Sequence, residues 1–174
     1  GKKSSEIVFK NVSVPSSNRL GDAGAALPAL QKIIDRSIVG VSAEAVGAME
    51  LLLQKTVEYS KTRKQFGTSI GTFQALQHRM ADMFIECQLA RSIVVMAAMR
   101  LDSMDDELEK TKAVSAAKSR VGKAIRKVGQ ESIQIHGGIG MTDELDVGHL
   151  FKRITALDIM FGNTDYHTER FASL

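Results

Sequence analysis

Three long stretches of the chain carry apolar residues at intervals of three and four, the signature of amphipathic helices. In the first, Leu27, Leu30, Ile34, Ile38, Val41, Ala45, Ala48 and Leu52 recur at that spacing. At 100° per residue they fall within an arc of about 80°. Ile33, Val39, Val46 and Leu51 lie outside the arc. This helix is therefore apolar on several sides and is expected to sit centrally, ending near Ser60. The second stripe, Phe73, Leu76, Met80, Met83, Cys87, Ala90 and Val94, predicts a helix over 73–101. The third, Val114, Ala117, Val121, Ala124, Val128, Ser132 and Ile135, is stopped by Gly137 and Gly138. It opens after Ser103 with Asp105, Asp106, Glu107 and Glu109, acids suited to the positive end of a helix dipole. Two shorter helices are predicted, one over 145–157 and one following Thr164, a candidate N-cap, to about Ala172.

The period changes at the N-terminus. Ile7 to Val14 reads as a short β-strand ended by Pro15. No second strand follows in the pattern, and a lone strand leaves its backbone groups unpaired, so its partners are expected in sequence beyond this chain. Residues 15–24 are rich in turn formers and read as a connector. The short loops between the long helices favour antiparallel neighbours. The expected fold is thus all-α: an antiparallel helical bundle over 25–174, preceded over 1–24 by a residual strand and linker.

Composition narrows the class. The 174 residues are 44% hydrophobic and 25% charged, which excludes a disordered or collagen-like chain. A single cysteine, Cys87, excludes a disulfide framework and suits a reducing compartment. Apolar runs such as Ile93 to Met99 are far short of a membrane span. The chain opens Gly1-Lys2-Lys3, without an initiator Met or a signal-peptide pattern, and reads as a fragment or a processed form. Net charge is +3, too mild to demand a nucleic-acid or membrane partner. Seven basic residues and no acid lie between Lys110 and Lys127, but Lys112, Arg120, Lys123, Arg126 and Lys127 fall opposite the apolar stripe. A solvated outer face explains them, and no aromatic residues interleave to stack bases.

Candidate chemistry is sparse. The four histidines, at 78, 136, 149 and 167, are not spaced as metal ligands with one another or with cysteine. Cys87 lies on the apolar stripe and reads as core. The G-G-I-G of residues 137–140 follows a helix rather than a strand, so it is not a dinucleotide fingerprint. Two loops stand out. Residues 62–71 combine Arg63 and Lys64 with Phe66 and two glycines, so they suit either an anion with a flat ring or a plain cationic helix end. Residues 134–141 hold three glycines in four positions, which suits either close approach of a ligand or subunit, or a tight interhelical turn.

Four segments in register carry a family resemblance: E-I-V-F-K-N-V-S-V-P-S-S-N-R-L-G-D, R-K-Q-F-G, F-Q-A-L-Q-H-R-M-A-D-M and Q-I-H-G-G-I-G. Together they resemble the C-terminal helical domain of the acyl-CoA dehydrogenases, with the first resembling the end of that family's middle β-domain. The resemblance implies FAD as cofactor and oxidation of an acyl-CoA thioester to the trans-2-enoyl-CoA. A carboxylate takes the α-proton, the β-hydrogen leaves as hydride to the flavin, and electrons pass on to an electron-transfer flavoprotein. It also implies a homo- or hetero-oligomer built through the helical domain, and a bacterial cytoplasmic setting. By position, Arg63 and Phe66 would reach a neighbouring subunit's FAD, with Arg63 at the pyrophosphate. Gln74 would lie near the cofactor, and Gln134, Gly137 and Gly138 would lie beside its adenosine half. Thr164 would lie near the cofactor in the last loop, where Tyr166 replaces a frequent Gln.

The chain departs from the family at the base. Gly162 stands where many members carry Glu, and Ser37 aligns with the alternative base position on the first helix. Asp35 lies two residues from that position, about 200° around a helix. Asp165 is a further candidate base, though it equally suits the start of the last helix. Three readings are open to such a sequence: a dehydrogenase subunit, with an unusual base or as the non-catalytic member of a heteromer; a flavin monooxygenase or oxidase on the same fold; and a structural oligomerisation domain.

Overall fold

The computed structural model describes residues 5–103 and 106–174; Gly1-Lys2-Lys3 and Asp105 lie outside the described residues. The chain divides into two compact units, one ending at Ile33 and the other comprising Ile34–Leu174. In the first unit the Ile7 to Val14 stretch takes no regular secondary structure, and its apolar side chains are exposed. A strand exists only through its ladder, and the structure places this stretch in none. A 3₁₀ turn follows at Ser16–Asn18.

The second unit, which begins within the first long helix, is a helical bundle. Helix α1 (Ala26–Thr62) leads into a two-residue-per-strand hairpin, β1 (Lys64–Gln65) and β2 (Thr68–Ser69), and a 3₁₀ turn at Ile70–Thr72. Then come α2 (Gln74–Ser103), α3 (Glu107–His136), a 3₁₀ turn at Gly137–Met141, α4 (Val147–Ile159) and α5 (Thr164–Ser173). Ion pairs report the register. Arg36–Asp102 and Arg91–Glu50 run α1 against α2. Arg79–Glu131, Arg120–Glu86 and Arg100–Glu109 run α2 against α3. Lys55–Asp146 and Arg153–Glu44 run α1 against α4. In each pair of helices the numbers rise on one side as they fall on the other, so these neighbours are antiparallel.

The central helix is α3 rather than α1. Fourteen of its residues are buried, against nine in the longer α1. Small residues make this possible. A Cβ on Gly122 would collide with Thr164 and Asp158, and one on Gly129 would come 2.8 Å from the Phe151 ring. These glycines let α4 and α5 lie close on α3. The core joins Met49 and Leu52 of α1, Met83 and Cys87 of α2, Val121 and Val128 of α3, and Ile154 and Leu157 of α4. Asp106 caps α3, accepting from the Leu108 and Glu109 amides. Asn163, not Thr164, caps α5, its side chain accepting from the Tyr166 amide. The Thr164 hydroxyl donates instead to Asp158 Oδ1 at 3.2 Å.

Helix α1 is long and apolar enough to cross a membrane. Its buried face nevertheless carries Asp35, whose carboxylate accepts from Arg170 at 3.0 Å and from Thr111 at 3.3 Å. Ser42 and Thr56 are buried on the same helix. A charged residue paired with α5 marks α1 as a core helix of the bundle.

Candidate functional site

The end of α1 and the end of α3 meet at one cleft of about 370 Å³. Its lining includes Tyr59, Arg63, Phe66, Arg79, Gln134 and His136, with Gly137 and Gly138 at its edge. The two loops singled out in the sequence are thus brought together, although 71 positions separate Arg63 from Gln134.

The hairpin explains how the first loop is held. Its turn residues are Phe66 (φ 53°) and Gly67 (φ 82°), both left-handed, as a two-residue type I′ turn requires. A bulky aromatic in that region is uncommon and strained, by about 1–3 kcal/mol. Strain of this kind points to function at the position. It leaves the Phe66 ring 92% exposed, edge-on to Phe73 at 6.1 Å between centroids. The Arg63 backbone is fixed on both sides, its amide donating to Tyr59 O and its carbonyl accepting from Ile70 N, each at 2.9 Å. Its guanidinium is exposed and meets no acid among the described residues. Arg79 supplies a second guanidinium, paired with Glu131 at 2.6 Å.

The glycine turn separates structural from free positions. Gly137 needs its own flexibility, with φ 65° and ψ −145° at the end of α3. Gly140 is required by packing, since a Cβ would come 2.9 Å from His136 Cβ. Gly138 has neither reason: its φ is ordinary and nothing lies within 4 Å of where its Cβ would be. It leaves open space at the cleft edge. An exposed guanidinium, a presented ring, an unengaged Gln134 amide and bare backbone suit a ligand that is anionic and flat.

The remaining sequence candidates lie elsewhere. Gln74 opens α2 next to the cleft residue Phe73 but does not line the cleft itself. Thr164 is buried against α3 at Gly122, roughly 20 Å along the helix from His136. Gly162 has φ 97°, and a Cβ there would run into the Tyr166 ring. Phe161 beside it is left-handed as well, at φ 58°. Asp165 is exposed in the first turn of α5, and Asp35 is buried in its ion pair. Burial, with Glu50 and Glu86 adding to it, pushes the Cys87 thiol up to about 12, so it is no nucleophile. Among the described residues no group of three His, Cys, Asp or Glu could hold a metal ion. Sequence reasoning missed Tyr59, Arg79 and His136. Arg79 was lost among ordinary surface charges, and the His136–Tyr59 stack joins residues 77 positions apart.

Such a bundle, with a nucleotide-sized cleft at one end, defines a class, and the family model for the acyl-CoA dehydrogenase C-terminal domain matches residues 27–173. The chain belongs to that family. It is 33% identical over 165 residues to a probable acyl-CoA dehydrogenase, YngJ, of Bacillus subtilis, covering 95% of this chain and 43% of the relative. It is 31% identical over 164 residues to the caffeyl-CoA reductase–Etf complex subunit CarC of Acetobacterium woodii, covering 94% of this chain and 42% of the relative. Butyryl-CoA dehydrogenase from Megasphaera elsdenii superposes with a TM-score of 0.87 at 29% identity, over 95% of this chain and 43% of that one. A structure of PigA with FAD and proline superposes with a TM-score of 0.88 at 28% identity, over 95% of this chain and 42% of that one. The chain thus spans less than half the length of these relatives.

Proposed function

We propose that this chain is the C-terminal helical part of an FAD-dependent acyl-CoA dehydrogenase subunit, acting on acyl-CoA in a heteromeric assembly where it does not supply the catalytic base. The observation that carries this reading is the shared cleft of Arg63, Phe66, Gln134, Gly137 and Gly138. Arg63 is suited to the pyrophosphate of an FAD held mainly by a neighbouring protomer, Phe66 to a flat face, and Gly138 to the room such a ligand needs. When bound, the flavin would supply the hydride acceptor. Gln74 and Thr164 join the proposed cofactor neighbours on resemblance alone.

The base is the point where this chain differs. Gly162 has no proton acceptor, and its left-handed backbone and the Tyr166 ring leave no place for a longer side chain. Asp35 is engaged by Arg170 and Thr111. We therefore assign proton abstraction to a second subunit type. The exposed apolar residues of α2, among them Phe84, Ile85, Leu89, Val95 and Met99, support assembly with further protomers. The Etf complex named for the Acetobacterium relative supports an electron-transfer flavoprotein as acceptor. We read residues 1–24 as the edge of a β-domain, and place the protein in the bacterial cytoplasm in line with its bacterial relatives and single buried cysteine.

The test is acyl-CoA-dependent flavin reduction in the purified holoenzyme, with and without a Glu-bearing partner subunit. Reduction that is fast only in the mixed assembly supports the proposal. Fast turnover by the homo-oligomer rejects the non-catalytic role, and oxygen consumption driven by reduced flavin and substrate points to a monooxygenase. Arg63→Ala is expected to lower the FAD retained per protomer; unchanged retention rejects the cleft.

A further inference from the structure

His136 closes α3 and lines the cleft beside Gly137 and Gly138, yet is only 5% exposed. Its Nδ1 lies 2.8 Å from the Ser132 carbonyl oxygen. A carbonyl can only accept, so Nδ1 carries the proton and donates. Nε2 is then a lone-pair acceptor, and no described residue donates to it. The ring cannot swing freely. It stacks on Tyr59 with centroids 4.4 Å apart and planes at 26°, and the Tyr59 hydroxyl donates to the His136 carbonyl at 3.3 Å. Burial holds the imidazole below its usual range, with the Ser132 hydrogen bond and Asp146 working the other way. The ring is therefore neutral at neutral pH.

The other polar side chains of the cleft have different abilities. Arg63 and Arg79 only donate, and Gln65 and Gln134 can turn either amide atom toward a ligand. His136 Nε2 is an acceptor fixed by its surroundings, beside the Tyr59 hydroxyl, whose proton is already given to the His136 carbonyl. Its lone pair offers no proton to a phosphate oxygen and repels an ionised one.

We infer that His136 Nε2 accepts a hydrogen bond from a nucleotide's exocyclic amine or sugar hydroxyl, so that the cleft prefers a nucleotide to a bare pyrophosphate. This rests on the nucleotide reading of the cleft given above.

The test titrates adenosine diphosphate, inosine diphosphate and inorganic pyrophosphate into the flavin-free protein, read by NMR on backbone amides and on the His136 ring nitrogens. His136→Phe keeps a ring against Tyr59 and removes the acceptor; His136→Gln restores a neutral acceptor without the ring. Adenosine diphosphate affinity is expected to fall roughly tenfold in the Phe variant, the equivalent of one hydrogen bond. Pyrophosphate affinity stays unchanged, the Gln variant recovers part of the loss, and adenosine diphosphate moves the Nε2 resonance in the unmodified protein. A matching loss for inosine diphosphate assigns the donor to a hydroxyl, and its absence assigns it to the amine. Equal losses for nucleotide and pyrophosphate, no loss for either, or an unmoved Nε2 resonance overturn the inference. If pyrophosphate binds through Arg63 while His136 is indifferent, only this inference falls. If no ligand perturbs the cleft, the nucleotide reading falls with it.

Discussion

Lys118 gives the sharpest test of how the bundle holds the junction between α4 and α5. It is 1% exposed, on the inner face of α3. Its ammonium donates to Leu157 O at 2.7 Å and Asp158 O at 2.8 Å. These carbonyls lie in the last turn of α4, where the helix leaves acceptors unpaired and its dipole is negative. Burial lowers the Lys118 pKa from its ordinary 10.5 to about 8, with the Asp158 carboxylate working against the fall. Below pH 8 the amine is charged in both folded and unfolded chains, and the folded state bears the full cost of the buried charge. Between about 8 and 10.5 the folded chain has released its proton while the unfolded chain keeps one. The unfolded state binds more protons there, so this residue's contribution to stability rises with pH.

The size of that rise is about 3 kcal/mol. Lys118→Met is the comparison. At neutral pH its two effects oppose each other, since it removes a costly charge but leaves two carbonyls without a donor, at about 1–3 kcal/mol each. A single-pH measurement is therefore uninformative, and the pH dependence is what decides. Urea unfolding of both proteins, followed by circular dichroism across the window from pH 8 to 10.5, cancels the groups they share. The unmodified protein should gain on the variant by about 3 kcal/mol across that window. A difference that is flat, or that shrinks with rising pH, would refute the claim that the cost of burying the ammonium outweighs what its two hydrogen bonds return.

Three other outcomes follow from the same structure. Asp35→Asn leaves the part-buried Arg170 guanidinium without its charge partner and should cost about 3–5 kcal/mol in urea unfolding; a loss under about 1 kcal/mol would show that the pair is solvated. Gly162→Glu should yield no acyl-CoA-dependent flavin reduction in the homo-oligomer and should lower the melting temperature. The new side chain meets Tyr166 on a left-handed backbone, a strain of about 1–3 kcal/mol; a gain in turnover would show that the position still serves a base. Cys87, fully buried with its thiol near 12, should resist a thiol reagent in the folded protein and react at the rate of unfolding; rapid labelling under native conditions would contradict that.

The sequence read the long helices well because each carries a full apolar stripe, and such stripes survive any detail of packing. It placed the wrong helix at the centre for a physical reason. Hydrophobic periodicity weighs Leu and Ile heavily, and α1 is rich in them, yet Leu27, Leu30, Ile33 and Leu51 are exposed in this chain. The central α3 is made of Ala, Gly, Ser and Val, and Gly122 and Gly129 earn their place only through neighbours that the sequence does not name. The β1–β2 hairpin was invisible for a similar reason. Its strands are two residues each, of Lys, Gln, Thr and Ser, and its turn is Phe-Gly rather than Asn-Gly.

The site residues divide along the same line. Arg63, Phe66 and Gly138 could be picked out because R-K-Q-F-G and Q-I-H-G-G-I-G combine a cation, a ring and more glycine than a helix end needs, whereas the free guanidinium, the strained exposed ring and the glycine without a steric reason became visible only in the fold. Tyr59, Arg79 and His136 are also cleft residues, but each has a second, structural partner that accounts for it in isolation. The distance along α3 sharpens the reading. The cleft lies at the C-terminal end of that helix, and the Gly162–Thr164 junction lies about 20 Å back toward its start. A mononucleotide cannot touch both. If the two places belong to cofactor molecules held by different protomers, a single protomer completes neither pocket. Arg63→Ala and changes at the Gly162 junction should then damage separate sites, and assemblies mixing the two variants should recover those sites where an intact cleft meets an intact junction.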